Sequence, residues 1–390
     1  MSDRREPSVV GIIGAGQLAR MLALAGLPLG LRFAVHDPAV DACAGQVAPL
    51  SVGRFDDATL LAAFAQGLDV ATFDFENVPA ASVALLERQV PVHPGALALA
   101  TAQDRLVEKT CFNAHGIPTA GFADVRDRAG LDAAVALLGT PSILKTRRFG
   151  SDGTGQFRLH EAADADAAWA ALGSQVDSSG LILEEFVPFR RELSIIAVRG
   201  RNGAFACWPL VENWHVDGVL SASLAPATVP AALHEQAVDH ARRLAAALDY
   251  VGVFALELFD RGDRLLANEM APRVHNSGHW SIEGAETSQF ENHLRAILGW
   301  PLGSTAPRGV SCMLNFLGEL PDRAALLAVP GVHWHDYGKA PRPGRKTGHA
   351  TVCTPDAEHL IEALQRVGEA LGREAQAAPV IARLRENPGG

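Results

Sequence analysis

The chain has 390 residues, of which 48% are hydrophobic, and its 44 acidic side chains outnumber its 34 basic ones. This length predicts two or three domains whose cores need no disulfide or metal for stability. The net charge of −10 argues against a nucleic-acid-binding surface, and we expect neither a signal peptide nor a membrane-spanning segment.

The first hundred residues alternate between predicted strands and helices. Strands are predicted at residues 9–14, 32–37 and 70–75, and helices at residues 17–25, 59–65 and 81–89. Such alternation predicts an open, mostly parallel sheet.

The turn after the first strand, Gly14-Ala-Gly-Gln-Leu-Ala19, matches the dinucleotide-binding pattern G-x-G-x-x-A. Asp37 ends the next strand, where a ribose-binding acid would lie. Taken alone, this indicates a nicotinamide enzyme, although the same glycines allow any tight strand-to-helix turn. Asp74 and Glu76 end the strand at 70–75, where open sheets bind ligands; charged strand ends facing water are the alternative.

From residue 103 the predicted strands come in neighbouring pairs, which favours antiparallel pairing. A helix at 103–115 precedes β-rich stretches at 142–147, 156–160, 181–187, 193–199 and 204–210, a helix at 231–248, and strands at 253–260 and 264–270. A third region begins near Gly309, with a strand at 310–316, a basic loop at 339–349 and a helix at 357–371.

The most informative motif runs from Lys145 to Gln156, where a strand leads into a loop with three glycines. Backbone N–H groups of such a loop close over phosphate oxygens, and Lys145 neutralises their charge. Because a strand rather than a helix follows, this is not a Walker loop. A flexible hairpin with a surface lysine is the alternative.

Two carboxylates interrupt neighbouring apolar strands. Glu257 lies within the apolar stretch 253–259, and Glu269 follows Asn268 at the end of the next strand. A buried carboxylate is costly unless it is paired or bound to metal, so these acids predict a site for a hard cation such as Mg²⁺. A salt-bridged pair is the alternative.

Two polar segments complete the set of candidate sites. Residues 273–279 carry many polar side chains without helical or strand periodicity, which is typical of a substrate loop. Residues 339–349 form a basic loop in an acidic protein, which suits a substrate phosphate, with a solvated turn as the alternative. Five scattered cysteines without a C-x-x-C pair make zinc or disulfide frameworks unexpected and fit a reducing cytoplasm.

Lysine is rare in this chain, which has 30 Arg and only four Lys: Lys109, Lys145, Lys339 and Lys346. A genomic bias explains the ratio most simply. Because Lys is a compact ammonium and Arg a planar fork, the surviving lysines are nevertheless candidates for positions where Arg does not serve.

In their order along the chain, these features resemble the ATP-grasp superfamily, and within it the 5-(carboxyamino)imidazole ribonucleotide synthase family. The segments that carry the resemblance are Gly14-Ala-Gly-Gln-Leu18, Phe75-Glu-Asn-Val-Pro79, Gln103-Asp-Arg105, Glu269-Met-Ala-Pro-Arg-Val-His-Asn-Ser-Gly-His-Trp280 and Arg342-Pro-Gly-Arg-Lys-Thr-Gly-His349. The resemblance covers almost the whole chain.

The resemblance implies a fold that combines α/β and α+β parts. An N-terminal Rossmann-like parallel-sheet domain (1–102) would precede a central two-lobed ATP-grasp domain (103–305) and a small C-terminal β-rich domain (306–390). The implied reaction is the ATP-dependent carboxylation of 5-aminoimidazole ribonucleotide with bicarbonate, by way of carboxyphosphate, in purine biosynthesis. Mg²⁺ is implied, without biotin or NAD. We expect a cytoplasmic homodimer with a small-molecule substrate and no nucleic-acid or membrane partner.

The resemblance also assigns expected roles to individual residues. The ATP-contacting set would be Arg105, Lys109, Lys145, Gly150, Ser151, Asp152, Gly153, Thr154, Gly155, Gln156, Glu184, Glu185, Phe186, Val187, Glu192, His215, Asn268 and Glu269. Glu257 and Glu269 would hold Mg²⁺. The catalytic set would be Asp152, Arg273, His275, Asn276 and Lys339. The ribonucleotide would contact Gln17, Leu18, Glu76, Arg273, Lys339, Arg345 and Lys346.

The glycine loop departs from the family pattern, which has an aromatic residue at position 151 and a basic residue at position 154. Here these are Ser151 and Thr154, while Asp152 remains. Three alternatives stay open: another ATP-grasp ligase such as a formate-using transformylase or a biotin carboxylase, a nicotinamide-dependent dehydrogenase, and a non-catalytic nucleotide sensor.

Overall fold

The N-terminal region is built on a parallel sheet, in a computed structural model that describes residues 8–150 and 155–386. Its strands are β1 (Val9–Ile13), β2 (Arg32–Asp37), β3 (Leu50–Val52) and β4 (Val70–Phe73), and its helices are α1 (Gln17–Gly26), α2 (Ala58–Phe64), α3 (Ala80–Leu86) and α4 (Ala96–Ala102). The strand order is β3-β2-β1-β4, with every pair parallel. The predicted parallel sheet is confirmed, and the short β3 and α4 lacked a sequence signal.

The next region forms a small antiparallel sheet covered by helices. Its elements are α5 (Arg105–Ala114), β5 (Phe122–Val125), α6 (Arg128–Leu138), β6 (Ser142–Thr146), β7 (Gln156–Leu159), α7 (Ala165–Leu172), α8 (Val176–Ser179) and β8 (Leu181–Glu185). The strand order is β5-β8-β6-β7. The glycine loop joins β6 to β7, which pair antiparallel from Lys145 opposite Gln156. As the sequence predicts, a strand lies on each side of the glycine loop.

The remaining strands form one nine-stranded sheet. Its elements are β9 (Arg191–Arg199), β10 (Phe205–Cys207), β11 (Val211–Val216), β12 (Val219–Ala225), α9 (Ala231–Ala247), β13 (Gly252–Asp260), β14 (Leu265–Ala271), α10 (Ser281–Gly284), α11 (Gln289–Leu298), β15 (Val310–Leu317), α12 (Arg323–Leu327), β16 (Val332–Asp336), β17 (Lys346–Thr354), α13 (Ala357–Leu371) and α14 (Glu374–Glu386). The order is β14-β13-β9-β11-β12-β15-β17-β16, with β10 beside β9.

The C-terminal strands continue the large nine-stranded sheet, because β15 pairs with β12.

The basic loop is shorter than predicted. Its last four residues belong to β17, which begins at Lys346 and runs between β15 and β16. The reason is that Thr347, His349 and Thr351 are polar yet fully buried, which hides the strand from a pattern of hydrophobicity.

Within the part of the chain that the structure describes, no helix combines the length and apolarity needed to cross a membrane. The cores lie between the sheets and their helices.

Candidate active site

A cleft opens where the N-terminal sheet, the small antiparallel sheet and the large sheet approach one another. The residues singled out from the sequence that line it are Glu76, Arg105, Gly150, Glu257, Glu269, Arg273 and His275. They come from all three units of the fold. The structure therefore brings together side chains that lie up to 199 positions apart (Glu76 to His275).

Three consecutive residues at the start of α5 organise one wall of the cleft. The Gln103 amide donates to the carbonyl oxygens of Glu76 (2.8 Å) and Val78 (2.6 Å), which fixes the turn that presents Glu76. The Asp104 carboxylate caps α5 by accepting from the N–H of Leu106, and it also accepts from Arg147 at 2.7 Å. One short segment thus joins two regions of the cleft.

Arg105 lies between the glycine loop and β14. It donates through Nη1 to Glu269 Oε2 at 2.6 Å and through Nη2 to the carbonyl oxygen of Gly150 at 2.8 Å. The guanidinium counteracts the effect of burial and lowers the pKa of Glu269, so this carboxylate is ionised at neutral pH.

Two buried lysines converge on Glu184. Lys145 Nζ donates to Glu184 Oε2 at 2.8 Å, and Lys109 Nζ lies 3.5 Å from Oε1 and donates to the carbonyl oxygen of Asn268 at 2.9 Å. Burial alone would raise the pKa of Glu184, but Lys109, Lys145 and Arg105 together lower it to about 2. One carboxylate thus holds two ammonium groups together beside the strand that carries Glu269.

Glu257 is the other acid of the predicted pair. Burial and the nearby charge of Glu269 raise its pKa, because two like charges close together disfavour ionisation of one of them. Its Oε1 lies 3.2 Å from His275 Nε2. Among the described residues no group of three or more His, Cys, Asp or Glu side chains has the arrangement of a metal cage. A hard cation at this pair would therefore take its other ligands from phosphate oxygens or water, as Mg²⁺ commonly does.

An ion pair across the cleft joins the first domain to the polar loop. Arg273 Nε donates to Glu76 Oε2 at 2.5 Å. Against the effect of burial, Arg273 lowers the pKa of Glu76. Both residues were predicted to meet the same substrate, and the structure places them in contact.

Gln289, the first residue of α11, holds the loop from Arg273 to Trp280 (the HNS loop) in place. The Gln289 Oε1 accepts the N–H of His275 at 2.9 Å, and its Nε2 donates to the carbonyl oxygen of His275 at 2.7 Å. The side-chain amide of Asn276 in the same loop is buried, and neither its oxygen nor its nitrogen has a hydrogen-bond partner among the described residues. An unpaired buried amide beside Arg273 is suited to a small polar anion.

The basic loop reaches back to the glycine turn of the first domain. Lys339 Nζ donates to Gln17 Oε1, and Gln46 Nε2 donates to the carbonyl oxygen of Gly338 at 3.1 Å. Arg345 donates to the carbonyl oxygen of Ala340 at 3.2 Å, inside the loop. Two residues predicted to share a substrate, Gln17 and Lys339, are therefore direct neighbours.

Other predicted residues lie around this centre. Ser151, Asp152, Gly153 and Thr154 lie outside the described residues. Glu192 and His215 form an ion pair at 2.8 Å on adjacent strands, and Arg158 stacks on the ring of Phe186 at 3.9 Å. Glu185 and Gln156 are exposed. The side chains of Leu18 and Val187 are buried in cores, so contacts with ligands are open only to their backbone.

Several residues that line the cleft were not predicted as site residues, and Glu108 and Phe149 are two of them. Glu108 is almost fully buried, accepts the N–H of Met270 at 2.7 Å, and has a pKa raised to about 8 by burial and by Glu269. Phe149 exposes its ring and has a left-handed backbone with φ of 59°. Glu108 follows the helical spacing of its neighbours and therefore does not stand out in the sequence. No sequence pattern distinguishes Phe149.

The glycine turn of the first domain is occupied by a protein carboxylate. Asp74 Oδ2 accepts the N–H groups of Gly16 at 2.8 Å and Ala19 at 3.2 Å, at the start of α1. A Cβ at Gly14 would lie 1.9 Å from Asp74 Oδ1. This helix N-terminus is where a dinucleotide pyrophosphate would bind. Because Asp74 already fills it, the geometry disfavours the nicotinamide alternative.

We expect the substitution Asp74→Asn to gain stability relative to the unmodified chain as the pH rises from 4 to 7. Burial raises the pKa of Asp74 from 3.8 to about 6. Between these values the folded protein holds more protons than the unfolded chain, so the stability of the unmodified chain falls as the pH rises through this window, by up to about 3 kcal/mol. Urea unfolding at both pH values measures the difference. Asp41→Asn, at an exposed position, controls for the loss of one charge; a pH-independent difference would contradict the prediction.

Comparison with known proteins matches three family models in order along the chain. Residues 8–103 match the ribonucleotide synthetase preATP-grasp domain, residues 110–290 the ATP-grasp domain, and residues 311–363 the phosphoribosylaminoimidazole carboxylase C-terminal domain. The ATP-grasp match spans the small antiparallel sheet and strands β9 to β14 of the large sheet, and the C-terminal match spans strands β15 to β17 of the large sheet.

Curated relatives and solved structures agree with these models. The N5-carboxyaminoimidazole ribonucleotide synthase of Pseudomonas aeruginosa is 52% identical over 90% of this chain and 96% of its own. The crystal structure of the synthetase from Thermus thermophilus has a TM-score of 0.89 at 54% identity, covering 93% of this chain and 98% of that one. The enzyme of Aspergillus clavatus, solved with ADP and 5-aminoimidazole ribonucleotide, has a TM-score of 0.87 at 32% identity, covering 94% and 99%.

Proposed function

Because the chain belongs to the N5-carboxyaminoimidazole ribonucleotide synthase family of ATP-grasp ligases, we infer that it carboxylates 5-aminoimidazole ribonucleotide with bicarbonate and ATP. ATP phosphorylates bicarbonate to carboxyphosphate and leaves as ADP. The exocyclic amine of the ribonucleotide then takes up the carboxyl group, and phosphate is released. The observation that carries this proposal is the convergence of Gly150, the acid pair and the Arg273–Glu76 ion pair on one cleft.

The nucleotide occupies the side of the cleft formed by the small antiparallel sheet and β14. Lys145, Arg105 and the glycine loop from Gly150 to Gln156, including Asp152, face its phosphates. Lys109 acts behind them, since it is buried against Glu184 and Asn268. The connection after β8 (Glu184 to Val187) and the Glu192–His215 pair flank the nucleoside. Support comes from the contacts of Arg105 with both Glu269 and Gly150.

Mg²⁺ is held by Glu257 and Glu269. The donor set fits a hard dication, because two carboxylates on paired strands supply oxygen ligands and Glu269 lies close enough to raise the pKa of Glu257. When bound, the ion neutralises charge on phosphate oxygens. The chain's own part is to keep the two acids on adjacent strands and to hold Glu269 ionised through Arg105.

Bicarbonate and the carboxylated product meet Arg273, His275 and Asn276. The buried amide of Asn276 and the guanidinium of Arg273 supply donors, and Glu76 fixes the Arg273 side chain. Lys339, Arg345 and Lys346 hold the ribonucleotide phosphate, with Gln17, Leu18 and Glu76 contributing from the first domain. Support comes from the Lys339–Gln17 contact, which joins the basic loop to that domain.

Catalysis rests on positioning and electrostatic stabilisation. Phosphoryl transfer needs little covalent chemistry from the protein, and donors fixed in advance cost no reorganisation when charge develops. Here the donors are fixed by other protein groups: Lys145 by Glu184, Arg105 by Glu269, and Arg273 by Glu76. Holding the reacting groups together also removes most of the entropic barrier.

The organisation of the whole molecule is part of the proposal. Residues 1–102, 103–305 and 306–390 form the three domains, with boundaries close to those of the three family models. The enzyme is a homodimer in the cytoplasm. Light scattering of the purified protein tests the homodimer, and a monomer at micromolar concentration would reject it.

A coupled ADP-release assay tests the function directly. ADP release is expected to require both 5-aminoimidazole ribonucleotide and bicarbonate. Replacement of bicarbonate by formate, or of the ribonucleotide by biotin, is expected to give no stimulation, which separates the other ATP-grasp ligases. ATP binding without any ADP release under the full mixture would indicate a nucleotide sensor and reject the proposal.

We expect Gln289→Leu to raise KM for bicarbonate and lower kcat, together by 10- to 100-fold, since supporting contacts of this kind commonly have effects of about this size. Leucine keeps the volume but removes both hydrogen bonds that clamp the His275 backbone. Steady-state kinetics with each substrate varied measures the effect. KM for ATP should stay within about twofold; an equal rise for all three substrates would contradict a local role.

A further inference from the structure

A row of buried polar side chains lies on the face of the large sheet beneath the HNS loop. Ser194 on β9, Asn213 on β11 and Ser223 on β12 are almost fully buried, as is Ser277 in the loop above them. Burying polar groups costs free energy unless they bond to each other. The four side chains therefore need hydrogen-bond partners within the protein.

The four side chains form one continuous chain of hydrogen bonds that ends at His275. Ser223 Oγ donates to Asn213 Oδ1 at 2.7 Å, and Asn213 Nδ2 donates to Ser194 Oγ at 2.9 Å. The hydroxyls of Ser194 and Ser277 are 2.7 Å apart, and Ser277 Oγ lies 2.9 Å from His275 Nδ1. On the far side of the ring, His275 Nε2 lies 3.2 Å from Glu257 Oε1.

The amide of Asn213 gives this chain a direction. Each serine hydroxyl has a single proton to donate. Ser194 accepts from Asn213, which leaves its own proton free to go to Ser277, and the proton of Ser277 is then free to go to His275 Nδ1. The backbone N–H of Ser277 points at the same nitrogen, at 3.4 Å. Donors aimed at Nδ1 leave the ring proton on Nε2, which lies 3.2 Å from Glu257 Oε1.

We propose that Ser223, Asn213, Ser194 and Ser277 form a positioning relay that holds His275 as its neutral tautomer with the proton on Nε2. The relay deepens the proposed function, on which the catalytic role of His275 rests. A neutral ring with a fixed N–H is a directed donor in a cleft that already holds Arg273. The same bonds fix the plane of the ring relative to Glu257.

The tautomer is read from ¹⁵N NMR of protein labelled at its 14 histidines, with His275→Asn used to assign the signal. In the unmodified chain, Nδ1 of His275 is expected to show the shift of an unprotonated nitrogen and Nε2 that of a protonated one. Asn213→Asp removes the donor to Ser194, so the Ser194 hydroxyl is drawn to the new carboxylate and away from Ser277. The Nδ1 signal of His275 is then expected to move part of the way toward that of a protonated nitrogen, because the backbone N–H of Ser277 still points at Nδ1.

Ser277→Ala provides a second test that adds no buried charge. It removes the donor next to the ring, so a mixture of both tautomers is expected, with the catalytic efficiency lowered about 10- to 100-fold and KM for ATP unchanged. Ser277→Cys, of similar size and with a weak donor, is expected to recover part of the loss. Ser311→Ala removes a buried serine hydroxyl from β15 of the same sheet, where it donates to Cys353 Sγ, and controls for stability.

A protonated Nδ1 in the unmodified chain would overturn the relay. A ring signal that both Asn213→Asp and Ser277→Ala leave unchanged from the unmodified chain would also overturn it. If Asn213→Asp fails to fold, Ser277→Ala alone decides. The NMR measurement needs no turnover, whereas the proposed function fails only if the unmodified chain releases no ADP with both substrates. The two failures are therefore distinguishable.

Discussion

Replacing Glu269 with glutamine is expected to lower kcat about 10³-fold while the protein stays folded. A metal ion contributes several kcal/mol of charge stabilisation in phosphoryl transfer, and each 1.36 kcal/mol changes the rate about tenfold. Glutamine keeps an oxygen that accepts from Arg105, so the ion pair at 2.6 Å becomes a hydrogen bond rather than a gap. It removes the charge that would attract Mg²⁺. The ADP-release assay at saturating substrates measures kcat.

The matched control is Glu286→Gln, the same change at an exposed residue outside the cleft, which should keep kcat within about twofold. The variant at position 269 should also need more Mg²⁺ for half-maximal rate. Turnover within tenfold of the unmodified chain would show that the acid pair is not the metal site.

The pair formed by Glu257 and Glu269 shows how much of the candidate site could be predicted from the sequence. Glu257 and Glu269 interrupt apolar strands, and that cost alone predicted a charged ligand or partner. The two acids come together only if their strands pair. This pairing was predictable, because consecutive strands whose acids are twelve residues apart are expected to pair antiparallel. Arg105 is 164 positions from Glu269, and no local pattern specifies that contact.

Residues that act through others were the hardest to predict. Glu184 was expected to contact ATP, and its contacts with two lysines were not expected. Ser194 and Asn213 carry no sequence signal, because single polar residues in strands are common. Their partners lie on different strands and loops, so only the register of the large sheet reveals them. Strand β17 was missed for a related reason, since Thr347 and His349 are polar but buried.

The regions of the fold were predictable because each has its own periodicity. Alternating strands and helices gave the parallel sheet, and paired strands gave the antiparallel ones. The continuity of the large sheet into the C-terminal region rests on the pairing of β12 with β15, across more than eighty residues of chain. Loop closure over such distances leaves no mark in the local sequence.

Lys145→Arg is expected to lower the catalytic efficiency with ATP about 100-fold although it preserves the charge. The ammonium of Lys145 is buried and donates to Glu184 Oε2 at 2.8 Å, while Lys109 approaches the other oxygen. A guanidinium is a wide fork that would bind both oxygens of Glu184 and displace Lys109. The positive charge at position 145 would then be paired with Glu184 and would not contact the phosphates of ATP. Loss of one well-placed donor commonly costs about 10²- to 10³-fold.

Lys145→Met separates charge from shape, because it removes the ammonium and keeps most of the stem. If charge alone matters, arginine should restore most of the activity that methionine loses; we expect both variants to be similarly impaired, with KM for 5-aminoimidazole ribonucleotide little changed. Near-normal turnover in Lys145→Arg would mean that lysine remains at this position by chance. In a chain with 30 Arg, that outcome would also remove the reason to connect Lys109, Lys339 and Lys346 with phosphate chemistry.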